Sequence, residues 1–218
     1  MAVILLVRHG QASWGAADYD VLSETGAAQG RALGAALSAR DVEPTVLVAG
    51  AMRRHAQTAA SALEGAGWSL DVEVDADWNE FDHEQMMALH GAPDGSEGQL
   101  TRKQFDAWFD VAMERWRAGA SDDEYDEPFH AFVARVDASF RRTADRLGSG
   151  DVAVVFTSGG PIAWIVSTLI GGGLDTWTRL NSVCVNASFA KVVVGGRGTT
   201  LVSFNEHGHL EPGLVTYR

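Results

Sequence analysis

Charged and polar side chains follow three apolar segments of the chain, and their types suit the binding of an anion. The set comprises Arg8 and His9 after residues 3–7, Arg53 and Arg54 after residues 44–49, and Ser158 after residues 151–157. A buried apolar run must end at water or a ligand when a cationic group follows it, because burying an unpaired charge costs free energy. Guanidinium groups bind anions through paired hydrogen bonds, so arginines from separate segments are expected to hold one anion.

The apolar runs themselves are typical of buried strands. Residues 3–7 are continuously apolar and rich in β-branched side chains, the pattern of a strand covered by helices on both faces. A helix is expected between the first two runs, with Ser23 as its N-cap. The buried stripe of that helix comprises Gly30, Leu33, Gly34 and Leu37.

Strands and helices are expected to alternate along the rest of the chain. Helices are predicted at 53–66, 102–117, 129–147 and 162–170, and late strands at 188–194 and 199–204. This alternation predicts a three-layer α/β/α sandwich with a mostly parallel central sheet. Ligands of such sheets collect beyond the carboxyl ends of the strands, where Arg8 and Ser158 are both expected.

The chain is expected to be a single domain over residues 1–218, with a lid-like insertion at about 82–127. This middle section interrupts the alternation with helix-like segments. It ends in the acidic run 121–127, which we interpret as a solvated loop.

Composition excludes several classes of partner. The net charge of −12, from 17 basic and 29 acidic residues, argues against nucleic acid, which requires a basic face. The opening apolar run is too short to span or target a membrane. Cys184 is the only cysteine, so an intrachain disulfide is impossible and a reducing cytoplasm is expected. Oligomeric state is not predicted.

Five stretches form an ordered set along the chain. They are VRHGQ at 7–11, LSETGAAQGRALG at 22–34, RRHAQTA at 53–59, the glutamate of WNEFD at 78–82, and VVFTSGGPIA at 154–163. Together they span most of the chain and resemble the histidine phosphatase superfamily, with its phosphoglycerate-mutase-like fold. The combination of RHGQASWG and TSGGP resembles a bacterial branch of that superfamily.

The resemblance implies a chemistry for the candidate residues. His9 corresponds to the nucleophile that forms a phosphohistidine, and Glu80 to the carboxyl group that protonates the leaving oxygen and later activates water. Arg8 and Arg54 would bind the phosphoryl oxygens and, by like-charge repulsion, keep the His9 imidazole unprotonated. No metal and no cofactor are implied, and the ligand is a small phosphorylated substrate or inorganic phosphate.

The chain departs from the family pattern at two positions. Ser158 replaces a second histidine before Gly159, and Gly15 replaces an asparagine that binds phosphate. A serine hydroxyl supplies a neutral hydrogen bond instead of an imidazolium, and losing one preorganised donor costs about 10²- to 10³-fold in rate. Ser158 and Gly159 would still bind phosphate at a helix N-terminus, and Ser13 is a candidate substitute for the missing asparagine.

Two further hypotheses follow from these departures. His83, three residues after Glu80, is the candidate auxiliary imidazole in place of the missing histidine.

The primary prediction is a phosphatase acting on a small phosphate monoester. The competing interpretation is a weakly active or non-catalytic member that binds a phosphorylated ligand, and phosphoglycerate mutase or protein phosphatase activity ranks below both.

Overall fold

Most of the strands and helices expected from the sequence are present in residues 1–13, 20–91 and 101–217, which the computed structural model describes. The strands are β1 (Ala2–Arg8), β2 (Val46–Ala49), β3 (Val72–Val74), β4 (Val152–Thr157), β5 (Phe189–Gly195) and β6 (Gly198–Glu206). The helices are α1 (Glu24–Ser38), α2 (Arg53–Ala66), α3 (His83–His90), α4 (Arg102–Ala118), α5 (Phe129–Asp145), α6 (Gly159–Leu169) and α7 (Leu174–Val183). Short 3₁₀ turns lie at Ala76–Trp78, Asp122–Glu124 and Pro212–Leu214.

The described strands form one sheet in the order β3-β2-β4-β1-β5-β6. β1 to β4 pair in parallel, whereas β5 and β6 are antiparallel to their neighbours. The prediction of a mostly parallel α/β sheet with helices on both faces is therefore confirmed.

Strand β1 is buried on both faces, as its continuous apolar run predicts. Leu5 and Val7 belong to a core that also includes side chains of α1 and α2. Ile4 and Leu6 are fully buried as well and point to the opposite face, because side chains alternate along a strand. On β1, the first exposed polar side chains can therefore appear only where the strand ends.

Helix α1 has the N-cap and the buried stripe that its sequence predicts. Ser23 Oγ accepts a hydrogen bond from the Gly26 backbone N–H at 3.1 Å. All four residues of the predicted stripe are buried. A Cβ atom added at Gly34 would lie 2.0 Å from the Ala62 carbonyl oxygen on α2, so glycine allows the two helices to meet at backbone distance.

Substitution of this helix-contact glycine is expected to destabilise the fold. Gly34→Ala forces α1 and α2 apart, and overpacking of this kind costs about 1–3 kcal/mol of unfolding free energy. Urea unfolding of the variant measures the loss. Gly196→Ala is the matched control, because no atom lies within 4 Å of a Cβ at that position. Equal stability of Gly34→Ala and the wild type would contradict the close helix packing.

The described residues divide into two compact units, Met1–Glu80 with Val136–Arg218, and Phe81–Arg135. The second unit has an aromatic core. The Trp116 ring packs against Phe81 in a tilted arrangement, with a ring-centroid distance of 5.1 Å, and against Phe129 edge to face, with a ring-centroid distance of 5.0 Å. Its indole N–H donates to the Glu127 carbonyl at 2.8 Å. The single domain with a lid at 82–127 remains a prediction.

The acidic run 121–127 is more ordered than the solvated loop expected from its charge. Tyr125 is buried, and its hydroxyl accepts a hydrogen bond from Arg115 at 2.8 Å. Arg115 also pairs with Glu124 at 2.7 Å, and Glu127 pairs with Arg135 at 2.5 Å. Arginines on the flanking helices therefore neutralise part of the run, which the charge pattern alone does not show.

No helix among the described residues is long and apolar enough to cross a membrane.

Candidate active site

The carboxyl ends of β1 and β4 bring His9 and Ser158 to the same edge of the sheet. The two strands are parallel neighbours, with Arg8 opposite Thr157. The His9 backbone N–H donates to the Thr157 carbonyl at 2.8 Å. Both His9 and Ser158 are buried. Two motifs far apart in sequence therefore meet because their strands are adjacent.

The glycine after His9 allows this edge to pack closely. A Cβ atom at Gly10 would lie 2.4 Å from the Gly26 carbonyl oxygen of α1. The Gly10 N–H donates to Thr58 Oγ1 at 3.0 Å, and that hydroxyl donates to the Arg54 carbonyl at 2.6 Å. Gly10 thus ties the end of β1 to both α1 and the first turns of α2.

A hydrogen bond fixes the tautomer of His9. Its Nδ1 lies 2.7 Å from the Gly10 carbonyl oxygen. A carbonyl oxygen can only accept, so Nδ1 carries the proton and Nε2 carries the lone pair. The orientation of an imidazole through its other nitrogen is the usual way to prepare one ring nitrogen for chemistry. His9 Nε2 is therefore available as a nucleophile.

The surroundings of His9 keep its ring neutral. Burial lowers the pKa of His9 well below its ordinary value of 6.5, and the positive charges of Arg54 and Arg8 lower that pKa further. The hydrogen bond to the Gly10 carbonyl raises the pKa of His9, but its effect is the smallest of those that act on the ring. The neutral form of the His9 imidazole is consequently the dominant form at neutral pH.

Arg54 is held by an acidic residue that the sequence analysis did not single out. Its Nη1 pairs with Asp20 Oδ1 at 2.7 Å, and the Arg54 side chain is only 6% exposed. Asp20 Oδ2 also accepts from the Arg53 backbone N–H at 2.8 Å. One carboxylate therefore both fixes the guanidinium and binds the first turn of α2, whose N-cap residue makes no side-chain cap bond.

Arg8 is anchored by backbone carbonyls. Its Nη1 donates to the carbonyls of Cys184 and, at 3.3 Å, of Tyr217. Its Nε is buried and has no hydrogen-bond partner among residues 1–13, 20–91 and 101–217. A Cβ atom at Gly159 would lie 3.7 Å from this Nε, which places the first residue of α6 beside Arg8. The guanidinium thus retains a buried donor near the N-terminus of α6.

Glu80 reaches the same edge from a different segment. Its Oε2 accepts a hydrogen bond from the Gly160 backbone N–H, in the first turn of α6, at 3.0 Å. The preceding turn is fixed to β4, because Thr157 Oγ1 donates to the Trp78 carbonyl at 2.5 Å. The Glu80 carboxyl therefore lies at the N-terminus of the helix that follows Ser158.

A second histidine lies at this edge, and sequence reasoning did not assign it a role. His55 is fully buried in the first turn of α2, and its Nε2 lies 2.7 Å from Ser158 Oγ. Its ring centroid is 5.8 Å from that of His9. Burial and the Arg54 charge lower the pKa of His55 well below 6.5. The signal that could have found His55 is its position directly after Arg54.

The remaining residues singled out from the sequence are Ser13, His83 and Gly15. Ser13 is half-buried, and its backbone N–H donates to the Val21 carbonyl at 2.7 Å. His83 is the first residue of α3 and belongs to the second unit. Gly15 lies outside the described residues. The phosphate role of Ser13 and the auxiliary role of His83 remain predictions.

Two buried neutral histidines make the stability of the protein dependent on pH. Because the pKa values of His9 and His55 are lowered in the folded state, only the unfolded chain takes up these protons as the pH falls below about 6.5. Each histidine should then remove about 1.4 kcal/mol of unfolding free energy per pH unit. Urea unfolding between pH 8 and pH 5.5 measures the slope. In His55→Gln the slope of unfolding free energy against pH should be shallower by about 1.4 kcal/mol per pH unit, because one of the two histidines is gone. An unchanged slope would contradict a neutral His55.

The described part of the chain contains no group of three or more histidine, cysteine, aspartate or glutamate side chains arranged to hold a metal ion.

Comparison with known proteins finds one family along nearly the whole chain. The profile of the histidine phosphatase superfamily (branch 1) matches residues 4–207. The 2,3-bisphosphoglycerate-dependent phosphoglycerate mutase of Novosphingobium aromaticivorans is 31% identical over 194 residues, which cover 78% of this chain and 84% of that protein.

Solved structures share the fold at lower identity. A phosphoserine phosphatase from Entamoeba histolytica in complex with 3-phosphoglyceric acid superposes with a TM-score of 0.68 at 15% identity, covering 97% of this chain and 100% of that one. A phosphoglycerate mutase from Bacillus anthracis superposes with a TM-score of 0.69 at 17% identity, and the match covers 95% of this chain and 94% of that one. A mycobacterial glucosyl-3-phosphoglycerate phosphatase superposes with a TM-score of 0.62 at 23% identity, and the match covers 93% of this chain and 98% of that one.

Proposed function

The chain belongs to the histidine phosphatase superfamily (branch 1), and from that premise we propose that it hydrolyses a small-molecule phosphate monoester through a phosphohistidine on His9. One observation carries the proposal. His9 is a buried neutral imidazole whose Nδ1–H is bound to the Gly10 carbonyl, so that its Nε2 lone pair remains for attack. The positive charges of Arg8 and Arg54 lower the pKa of His9, so both guanidinium groups lie in the surroundings of this ring.

In the first step, the Nε2 lone pair of His9 attacks phosphorus while the bond from phosphorus to the ester oxygen breaks. The electron pair of that bond leaves with the oxygen, and the protonated Glu80 carboxyl gives this oxygen its proton. The products are the alcohol, the Glu80 carboxylate and phosphohistidine. Its ring cation is stabilised by the bond from Nδ1–H to the Gly10 carbonyl.

In the second step, water attacks the same phosphorus from the side that the alcohol has left. The Glu80 carboxylate takes a proton from this water as the new bond from oxygen to phosphorus forms. The bond from phosphorus to Nε2 breaks, and its electron pair returns to His9. Inorganic phosphate leaves, and both His9 and Glu80 regain their starting protonation states.

Charge stabilisation during both steps comes from Arg8, Arg54 and the N-terminus of α6. Two guanidinium groups offer paired donors to the equatorial phosphoryl oxygens, where negative charge accumulates. The Asp20 carboxylate holds Arg54 in place at 2.7 Å, so little reorganisation is needed when the phosphate binds. Ser158 and Gly159, at the start of α6, supply neutral donors at the same position.

Phosphoglycerate mutase is a second candidate function, and the 31% identity to the Novosphingobium enzyme favours it. In that reaction a phosphoglycerate, instead of water, would accept the phosphoryl group from His9. We rank hydrolysis first because the chain lacks recognisable substrate-loop motifs around and after Glu80. Protein phosphatase activity ranks lower, and a weakly active phospho-ligand binder remains the competing interpretation on account of Ser158.

A panel of phosphate monoesters tests the proposal. Phosphoserine, 3-phosphoglycerate, a sugar phosphate and p-nitrophenyl phosphate are incubated with the wild type and with His9→Ala, and phosphate release is measured. His9-dependent release is the expected result. Conversion of 3-phosphoglycerate to its 2-isomer in place of release would establish the mutase. Absence of both reactions and of any phosphoenzyme would leave the binding function.

A further inference from the structure

Ser158 makes an unusual contact for a serine at a helix N-terminus. Serine at this position normally accepts a hydrogen bond from a backbone N–H of the first turn. Ser158 precedes α6 without such a cap bond. Its Oγ lies instead 2.7 Å from Nε2 of His55, and both side chains are fully buried. The hydroxyl is therefore directed by a histidine from another helix.

The proton of His55 can be located from its surroundings. His55 Nδ1 is buried and has no hydrogen-bond partner in the described part of the chain. A buried N–H without an acceptor is rarer in proteins than an acceptor without a donor, so the proton belongs on Nε2. His55 then donates to Ser158 Oγ. The hydroxyl hydrogen of Ser158 remains free to point at an anion.

The backbone next to His55 is shaped to admit its ring. A Cβ atom at Gly50 would lie 2.3 Å from His55 Nδ1 and 2.9 Å from Asn79 Oδ1. Glycine after β2 thus leaves the space that the imidazole fills. The His55 ring centroid is 5.8 Å from that of His9, so the two imidazoles lie at the same edge of the sheet.

We propose that His55 is a positioning residue for phosphoryl transfer, which acts by holding the Ser158 hydroxyl so that it donates to a phosphoryl oxygen on His9. The inference rests on the proposed function. The imidazole that is missing at position 158 is thereby supplied from α2, and it acts as a neutral donor through Ser158. No bond to phosphorus forms at either residue.

A pair of substitutions at His55 separates hydrogen bonding from packing. His55→Gln keeps an N–H donor that can reach Ser158, whereas His55→Phe keeps a ring without a donor. We expect single-turnover release of p-nitrophenolate, measured with enzyme in excess of p-nitrophenyl phosphate, to slow by about 10²-fold in His55→Phe and by less than about tenfold in His55→Gln. His130→Phe, at a side chain that is 72% exposed, is the control. If His55→Phe does not fold, as judged by its melting temperature, His55→Leu replaces it.

A double-mutant cycle then tests whether His55 acts through Ser158. Ser158→Ala is expected to lose about 10²-fold, and His55→Phe combined with Ser158→Ala should lose little more. Two single-variant losses that multiply in the double variant, or a folded His55→Phe that releases p-nitrophenolate at the wild-type single-turnover rate, would overturn the proposal. His9→Ala in the same assay distinguishes the two levels of failure. Without His9-dependent release of p-nitrophenolate in the wild type the proposed function itself fails, whereas normal wild-type release that does not depend on His55 refutes this inference alone.

Discussion

Replacing His9 with alanine is expected to reduce phosphatase turnover by about 10⁴- to 10⁶-fold, the range seen when an enzyme loses its nucleophile. The variant has no ring nitrogen to attack phosphorus, and no phosphoenzyme should form. Arg8 and Arg54 are unaffected, so inorganic phosphate should still bind with an affinity within about tenfold of the wild-type value. A steady-state assay with p-nitrophenyl phosphate, with calorimetric titration of phosphate, measures both properties.

The separation of binding from turnover is the diagnostic feature of this variant. His130→Ala serves as the control, because its side chain is largely exposed on the other unit. Retention of more than about one per cent of activity in a folded His9→Ala protein would show that another group is the nucleophile. Loss of phosphate affinity together with turnover would instead indicate that His9 supports the binding site.

Glu80→Gln is expected to slow hydrolysis of alkyl phosphates by about 10²- to 10⁴-fold, the usual contribution of a general acid and base. The amide keeps an acceptor for the Gly160 N–H, so the geometry of the α6 N-terminus should persist. p-Nitrophenolate leaves without a proton, and the first step with p-nitrophenyl phosphate should therefore be affected much less. The phosphoenzyme should then accumulate, because water is no longer activated.

Burst kinetics with p-nitrophenyl phosphate and steady-state kinetics with phosphoserine test this prediction together. Glu73→Gln is the matched control, since its exposed carboxylate pairs with Arg146. Equal losses for both substrates and no accumulated phosphoenzyme would remove Glu80 from the acid-base role. Unchanged kinetics in both assays would exclude it from the reaction entirely.

The parts of the fold that sequence predicted best are those set by local pattern. The continuous apolar runs of β1 and β4 are long enough to identify as buried strands, and helix α2 has the bounds that were expected. Strand β3 has only three residues, Val72–Val74, and two of them are exposed, so it carries no apolar run. Helix α7 was missed because it follows three glycines with a mixture of polar and apolar residues.

The contact between His55 and Ser158 could not be predicted from the sequence, because it depends on the order of strands in the sheet. His55 follows β2 and Ser158 follows β4, and the two meet because β2 and β4 are neighbours. The sequence shows each strand end but not which ends are adjacent. It therefore directed attention to His83, the histidine nearest Glu80 along the chain. The auxiliary role of His83, the lid at 82–127 and the cytoplasmic location remain predictions.

Trapping of the phosphoenzyme identifies the nucleophile directly. The protein is mixed rapidly with ³²P-labelled phosphate monoester, quenched in alkali, and digested so that the labelled peptide can be sequenced by mass spectrometry. We expect one phosphoryl group per chain, attached to His9 through an alkali-stable and acid-labile bond to nitrogen. Label on Ser158 or another side chain in place of His9, or no label on a Glu80→Gln protein that still releases p-nitrophenolate, would contradict this expectation.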